Sequence, residues 1–450
     1  MSELLELAER TLALAKGDEQ AEVFASRGTE TEVRVYQGEV EHLASASASG
    51  VGVRVVLPGS DGFRTGFAYA GTLDEAVIAE TFEAARQNAA FATPDPHGAL
   101  PTPDGHARAV LPAPSPSFSA TSTEAKVALA VELEAAVRSG DRRIRQVDSA
   151  DYSDGWGESA VASTAGVREA DEDAAAFISV SAVAGEGEDT QTGYGFSVAR
   201  AFSDLDVSAS AADAVLRSTR MLGARKIPSA TMPVVFDPRV TSTLLGIIAG
   251  ALSGEALVKG RTMFADRLGE RVAVAGFTLV DDPTNPLAYG SSSVDGEGLA
   301  CRRTDLIADG ELKGFVFDTL AGRRAGRAST GSALRGYSST PVAGCQAVTL
   351  LGGDVDPEAI LAAVGEGLYV QSITGVHSGV STVSGDFSVG AEGLAIRGGS
   401  LAEPVREVTV ASTLQRMLLG VLAVGTDLTY LPGVATGCTL AIGDLAVSGS

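Results

Sequence analysis

From Leu244 to Gly260 the chain reads LLGIIAGALSGEALVKG, its most apolar helix-like run. Leu244, Ile247, Ile248, Ala251 and Leu252 recur three and four apart, the spacing of one helical face. The pattern predicts one helix through Leu244–Lys259, started by Asp237 or Pro238 and buried in a domain core. Gly246, Gly250 and Gly254 fall four apart and form a smooth stripe open to close backbone approach. Each glycine costs a helix interior about 1 kcal/mol against alanine, so something else must offset it.

A chain of 450 residues should hold two or more domains, at about 100–200 residues each. Its net charge of −23 argues against nucleic-acid binding, which needs a clustered basic surface. No run reaches the roughly 18 apolar residues that would span a membrane. The first residues, MSELLELAERTLALAK, carry Glu3, Glu6 and Glu9 where a secretory signal would be basic. The expected compartment is the cytosol. Cys301, Cys345 and Cys438 are isolated and odd in number, which speaks against a disulfide framework.

Residues 2–16 predict an amphipathic helix capped by Ser2, with Leu4, Leu7, Ala8, Leu12 and Ala15 on one face. Strand-like segments follow (AEVFASRG, TEVRVYQG, EVEHLASASASG, GVGVRVVLPG and GFRTGFAYA), separated by Gly-containing turns. Thr72 or Asp74 then caps a helix over Glu75–Asn88. Thr93–Ser119 is rich in Pro and reads as a linker or surface loop. A second unit begins with the helical TSTEAKVALAVELEAAVRSG. Strand-like runs lie near Gln146–Ser153, Ser159–Thr164, Ala176–Val183 and Gly193–Val198, and Asp206–Leu222 returns to helix. Glu169-Ala-Asp-Glu-Asp reads as a solvated acidic turn. After the strand MPVVFDP the chain becomes Gly-dense and strand-rich. The expected fold is α+β. An N-terminal helix-and-antiparallel-sheet region, 1–225, comprises units at about 1–92 and 120–225 joined by the linker 93–119. A β-rich domain with a few helices, 226–450, follows it.

Searches for generic catalytic patterns fail. There is no P-loop, no G-x-G-x-x-G at a strand-to-helix junction and no G-x-S-x-G elbow. His42, His97, His106 and His377 show no metal-ligand spacing. Three Gly-rich C-terminal segments stand out. The first, Gly290-SSSVDGEGLACRRTDLIADGELKGFV, gathers Ser292, Asp295, Glu297, Arg302 and Arg303. The second is Arg335-GYSSTPVAGCQAVTLLGG. The third, Gly375-VHSGVSTVSGDFSVGAEGLAI, holds His377, Ser378, Gly379, Asp386 and Ser388.

Together with ARKIPSATMPVVFDP, ALSGEALVKGRTMFADRLGERV and VGTDL, these segments resemble the TldD/PmbA family, and its PmbA (TldE) branch more closely. The resemblance runs in order from Ala224 to the C-terminus, whereas the first half matches only in pattern. It implies a cytosolic protease system of two related subunits acting on unfolded or leader-type peptides. In the TldD branch zinc is held by H-E-x-x-x-H on a helix and a later cysteine. That window aligns here with Leu245-Gly246-Ile247-Ile248-Ala249-Gly250, so both histidines and the glutamate are absent, and Cys438 does not replace the cysteine. Without those ligands there is no zinc-bound water and no base to deprotonate it.

The expectation is therefore a non-catalytic subunit, with no metal of its own, that forms a heterodimer with a TldD-like zinc subunit; a homodimer is left open. Ser292, Asp295, Glu297, His377, Ser378, Gly379 and Asp386 are the expected substrate-binding residues. Glycines at Ser291–Gly298 and Gly375–Gly385 would let an extended peptide pair with the backbone. Two alternatives remain: a metal-independent homodimeric hydrolase using His377 with Asp386 or a nearby serine, and a non-proteolytic binding protein of the gyrase-modulator type.

Overall fold

The computed structural model describes residues 2–115 and 117–449; one proline of the 93–119 stretch lies outside the described residues. Helix α1 (Glu3–Leu12) is capped by Ser2 and buries Leu4, Leu7 and Ala8. Strands β1 (Gln20–Tyr36), β2 (Glu39–Gly59) and β3 (Gly62–Ala70) lead to α2 (Glu75–Phe91), whose N-cap is Asp74. After the Pro-rich stretch come α3 (Ser117–Ala120), α4 (Thr123–Gly140), β4 (Ile144–Ser163), β5 (Arg168–Ala184), β6 (Gln191–Ala199) and α5 (Val207–Thr219).

The two N-terminal units share one antiparallel sheet of order β3-β2-β1-β4-β5-β6. β1 pairs with β4 from Glu22↔Ser163 to Val35↔Ala150, so no boundary divides them at the sheet. Alternate side chains point to opposite faces. Val23, Val51, Val53 and Val55 meet Ile78, Phe82 and Ala85 of α2 on the helical face. Phe24, Val161 and Val167 meet Tyr337 of the C-terminal domain on the other.

Two expectations fail here. Gly28 and Gly50, read as turn residues, lie inside single long strands. A Cβ on Gly28 would sit 2.7 Å from the Trp156 carbonyl oxygen, and one on Gly50 would sit 2.5 Å from the Tyr337 ring. The supposed acidic turn, Glu169–Asp173, is strand β5, paired with β4 from Ala170↔Ala160 to Asp173↔Gly157. Cross-strand pairing overrides the local preference of charged residues for turns.

The C-terminal domain opens with β7 (Ala230–Phe236), α6 (Pro238–Ala251) and α7 (Gly254–Val258). It continues through β8 (Thr278–Asp281), β9 (Thr304–Ala308), β10 (Glu311–Leu312), α8 (Thr319–Arg324), β11 (Ala333–Leu334), β12 (Val342–Ala343) and β13 (Val348–Leu351). Then follow α9 (Pro357–Val364), β14 (Gly367–Thr374), α10 (Val376–Gly379), β15 (Asp386–Arg397), β16 (Ser400–Thr413), α11 (Leu414–Leu419), β17 (Val421–Val424) and β18 (Leu440–Ser448). The main sheet runs β16-β15-β14-β7-β18-β17, and β16 also pairs with β18, closing it on itself.

The predicted helix Leu244–Lys259 is two helices. Asp237 caps α6 and Pro238 occupies its first turn, while Ser253 accepts the Ala256 N–H and starts α7. The break serves packing: the Gly254 N–H donates to the Val316 carbonyl at 2.7 Å, and a Cβ there would lie 2.2 Å from the Phe317 ring. Of the glycine stripe, only Gly254 has backbone pressed against it; a Cβ on Gly250 would meet nothing within 4 Å.

Candidate functional site

The N-terminal sheet and the C-terminal domain meet at a buried cluster of charge. Glu22 of β1 and Arg54 of β2 are cross-strand partners 2.6 Å apart on the face opposite α2. Arg335 reaches Glu22 from the C-terminal domain and lies 4.7 Å from the Phe24 ring centre. Glu297 lies 3.4 Å from Arg54 and accepts the Thr319 N–H at 2.9 Å. Burial alone would raise the Glu22 carboxyl, but Arg54 and Arg335 outweigh it and hold it below its usual value. Both arginine side chains are largely or wholly enclosed, and Arg54 Nε, Arg335 Nε and Arg335 Nη2 have no hydrogen-bond partner.

Asp295 sits beside this cluster. Its Oδ1 accepts the Glu297 and Leu299 N–H groups, and its Oδ2 accepts the Ala333 N–H. Burial, reinforced by Glu297, pushes its carboxyl up to about 7 against those three donors. Asp295 therefore holds the backbone of its own domain, and Glu297 ties that domain to Arg54 of the N-terminal sheet. The Ser292 hydroxyl lies 2.8 Å from Asp171 Oδ2 and 2.6 Å from the Val294 carbonyl oxygen, two acceptors between which its one proton is shared. A cavity of about 170 Å³ lies here, bounded by Phe24, Asp171, Ser292, Asp295, Arg335 and Gln346 among others.

Next to it the Pro-rich stretch runs as a strap. Arg108 binds Glu169 at 3.1 Å, Asp171 at 2.8 Å and the Ser293 hydroxyl at 2.7 Å. Arg324 anchors Asp95 at 2.5 Å, and Arg302 anchors Asp104 at 3.1 Å. Far from a free linker, the segment is tied to both domains. Between it and β5 opens a cleft of about 580 Å³, walled by Arg108–Pro114, Asp171–Asp173, Arg200 and Ser291. Asp171 and Arg108 were missed from sequence because the acidic run has the composition of a turn. Arg54 did carry a signal, a lone charge in the apolar run GVGVRVVLPG, whereas Glu22 shares its strand with Arg27, Glu30, Glu32 and Arg34 and does not stand out.

The third Gly-rich segment is placed separately. His377 and Ser378 are exposed on α10, and Asp386 is exposed at the start of β15. Asp386 accepts the Ser384 hydroxyl at 2.6 Å, and among the described residues His377 has no side-chain hydrogen-bond partner. Gly379 lies against the Ser388 carbonyl, where a Cβ would come within 1.8 Å. Among the described residues no hydrogen bond or ion pair joins this segment to Ser291–Gly298.

The residues at the zinc window do not fit a metal. Leu245 is buried among Leu244, Ile248, Leu414 and Leu440 in the main core. Gly246 and Gly250 offer no side chain, and Cys438 is 1% exposed with its thiol pushed up to about 12 by burial and by Asp427. A protonated, enclosed thiol is no zinc ligand. Among the described residues no group of three His, Cys, Asp or Glu is placed to hold a metal ion, and no helix is long and apolar enough to cross a membrane. All three cysteines are buried free thiols.

Three family models match along the chain: PmbA/TldA metallopeptidase domain 1 over residues 21–89, the central domain over 116–222 and the C-terminal domain over 229–449. The chain is 27% identical over 444 residues to Metalloprotease PmbA of Escherichia coli O157:H7, covering 97% of this chain and 94% of that one. It is 28% identical over 376 residues to the Metalloprotease TldD homolog of Haemophilus influenzae, covering 80% and 76%. Its fold is similar to that of TldE from Thermococcus kodakarensis, with a TM-score of 0.88 at 23% identity, covering 99% of each chain.

Proposed function

Because the chain belongs to the PmbA/TldD metallopeptidase family, we propose that it is a PmbA-type subunit without zinc of its own, paired in the cytosol with a zinc-bearing TldD-type partner that cleaves unfolded or leader-type peptides. The observation that carries this reading is the character of α6 at the zinc window: a core leucine at one ligand position and bare glycine at the other and at the base position. Zinc bound in the partner would supply the activated water. This chain would contribute fold, interface and peptide contacts, with Ser292 at the junction and His377, Ser378, Gly379 and Asp386 on an exposed rim as proposed contacts. Asp295 and Glu297 would act indirectly, by holding the junction in place.

A metal-independent hydrolase centred on His377 has less in its favour. Its imidazole lacks an orienting partner, and a general base needs both reach and orientation.

The test is co-expression with a TldD-type protein that carries the H-E-x-x-x-H motif. Cleavage of an unfolded peptide should require both chains and should vanish with a chelator. Full activity from the partner alone would refute the proposal.

A further inference from the structure

The N-terminal sheet has an edge that no strand among the described residues pairs with. β3 pairs with β2 only from Val51↔Ala70 to Gly59↔Gly62. Residues Glu39–Ser49 of β2 pair on one side alone, with β1 from Tyr36 back to Arg27. Among the described residues no other strand or isolated bridge meets this segment. At about 3.4 Å per residue, the open edge is about 35 Å long.

Edge strands that must stay single are blunted by lysine, proline or bulges. The segment EVEHLASASAS carries neither lysine nor proline; its one bulge, at Glu41, lies by the hairpin end, and from Ala44 to Ser49 the pairing is regular and the side chains are only Ala and Ser. Such side chains leave room for an incoming strand of almost any sequence. Beyond Ala70 no described strand continues the line of β3 along β2, and Tyr337 packs over the sheet face at Gly50 and Gly52, beside the inner end of the open edge. An added strand would therefore have a defined track, bounded at its inner end by β3.

Charge indicates the occupant. Glu32 and Glu30 of β1 face Ala44 and Ala46 across the ladder, and Glu39 and Glu41 stand at the hairpin end; all four are exposed. Among the described residues none of the four forms an ion pair; Arg34 lies close enough to feel Glu41 and Glu32 but is bound to Asp151 at 2.6 Å, so the four carboxylates outnumber the cation near them. On the same face a trough of about 420 Å³ crosses Ala46, Ala48, Gly28, Gly155 and Gly157. A second copy would bring the same unpaired carboxylates to the joint, whereas lysine or arginine side chains on an added strand would neutralise them.

We infer that the Glu39–Ser49 edge of β2 takes an extended, basic polypeptide strand by backbone pairing. The edge thereby names a substrate class for the proposed subunit, and it rests on that role only for the fate of the bound strand.

The experiment follows amide hydrogen exchange of the full chain with three proline-free dodecapeptides: alternating Lys/Thr, alternating Glu/Thr, and Lys/Thr N-methylated at every second residue. Exchange at alternate amides of residues 39–49 should slow about tenfold with saturating Lys/Thr peptide only. The exposed substitution Ala46→Lys, with native Trp156 fluorescence as the folding control, should weaken Lys/Thr binding about tenfold. No slowing, equal slowing with the N-methylated or Glu/Thr peptide, or slowing that grows with chain concentration alone would each overturn the inference. Protection without cleavage in the co-expression assay would remove the subunit role and leave the edge; cleavage without protection would do the reverse.

Discussion

Replacing Arg335 by methionine tests whether buried charge holds the two domains together. Arg335 is fully enclosed and contacts Glu22, itself 1% exposed. Opposite charges about 4 Å apart at an effective dielectric of about 20 attract by about 4 kcal/mol. Two effects reduce the net loss. Methionine relieves the repulsion between Arg335 and Arg54, and it removes Nε and Nη2, which lack hydrogen-bond partners. Methionine also keeps much of the contact with Phe24. The expected cost is about 3 kcal/mol, the lower end for breaking a buried pair. Glu22→Gln alone leaves two guanidinium groups facing each other, so the double variant should be about 2 kcal/mol less destabilised than the two single effects added. The chain has one tryptophan, Trp156 in β4, and its fluorescence in a urea titration reports the N-terminal sheet. Because a chain of this size need not unfold in one step, the quantity compared is the midpoint of that transition. A loss below about 1 kcal/mol for Arg335→Met, or strict additivity in the cycle, would refute the reasoning.

Gly254→Ala should cost about 2–3 kcal/mol, because its methyl would lie 2.2 Å from the Phe317 ring, whereas Gly250→Ala should stabilise by up to about 1 kcal/mol; equal shifts in thermal melts would contradict the packing account of the α6–α7 break. Burial pushes Asp281 up to about 6 from 3.8, so the folded state holds its proton longer. Stability from this group is therefore greatest below about pH 4 and falls, by up to about 3 kcal/mol, as pH rises to about 6. Asp281→Asn should flatten that part of a stability–pH profile, since its Oδ1 can still accept the Gln346 and Ala347 N–H groups; an unchanged slope would contradict the assignment. Arg108→Ala frees the strap from Glu169, Asp171 and Ser293, and thermolysin cleavage near Val110 and Leu111 should become about fivefold faster. An unchanged rate would show that the strap is held elsewhere.

Sequence alone determined what a few neighbouring residues decide. Ser2 caps α1 as its side chain predicts, and of the candidates for the next starts it is Asp74 rather than Thr72 that caps α2 and Asp237, with Pro238 in the first turn, that caps α6. The apolar spacing at Leu244, Ile248 and Ala251 marked the core face of α6. Tertiary structure decided what depends on distant partners. It ended α6 before Ser253 because Val316 and Phe317 pack there, and it drew Glu169–Asp173 into β5 because β4 offers a ladder and Arg108 a counter-charge. It also joined Glu22 to Arg335, 313 residues apart. Caps and helical faces depend on residues within a turn or two, so composition and spacing reveal them. Strand continuity, buried ion pairs and open sheet edges depend on which segments the folded chain brings side by side, and no local pattern carries that information.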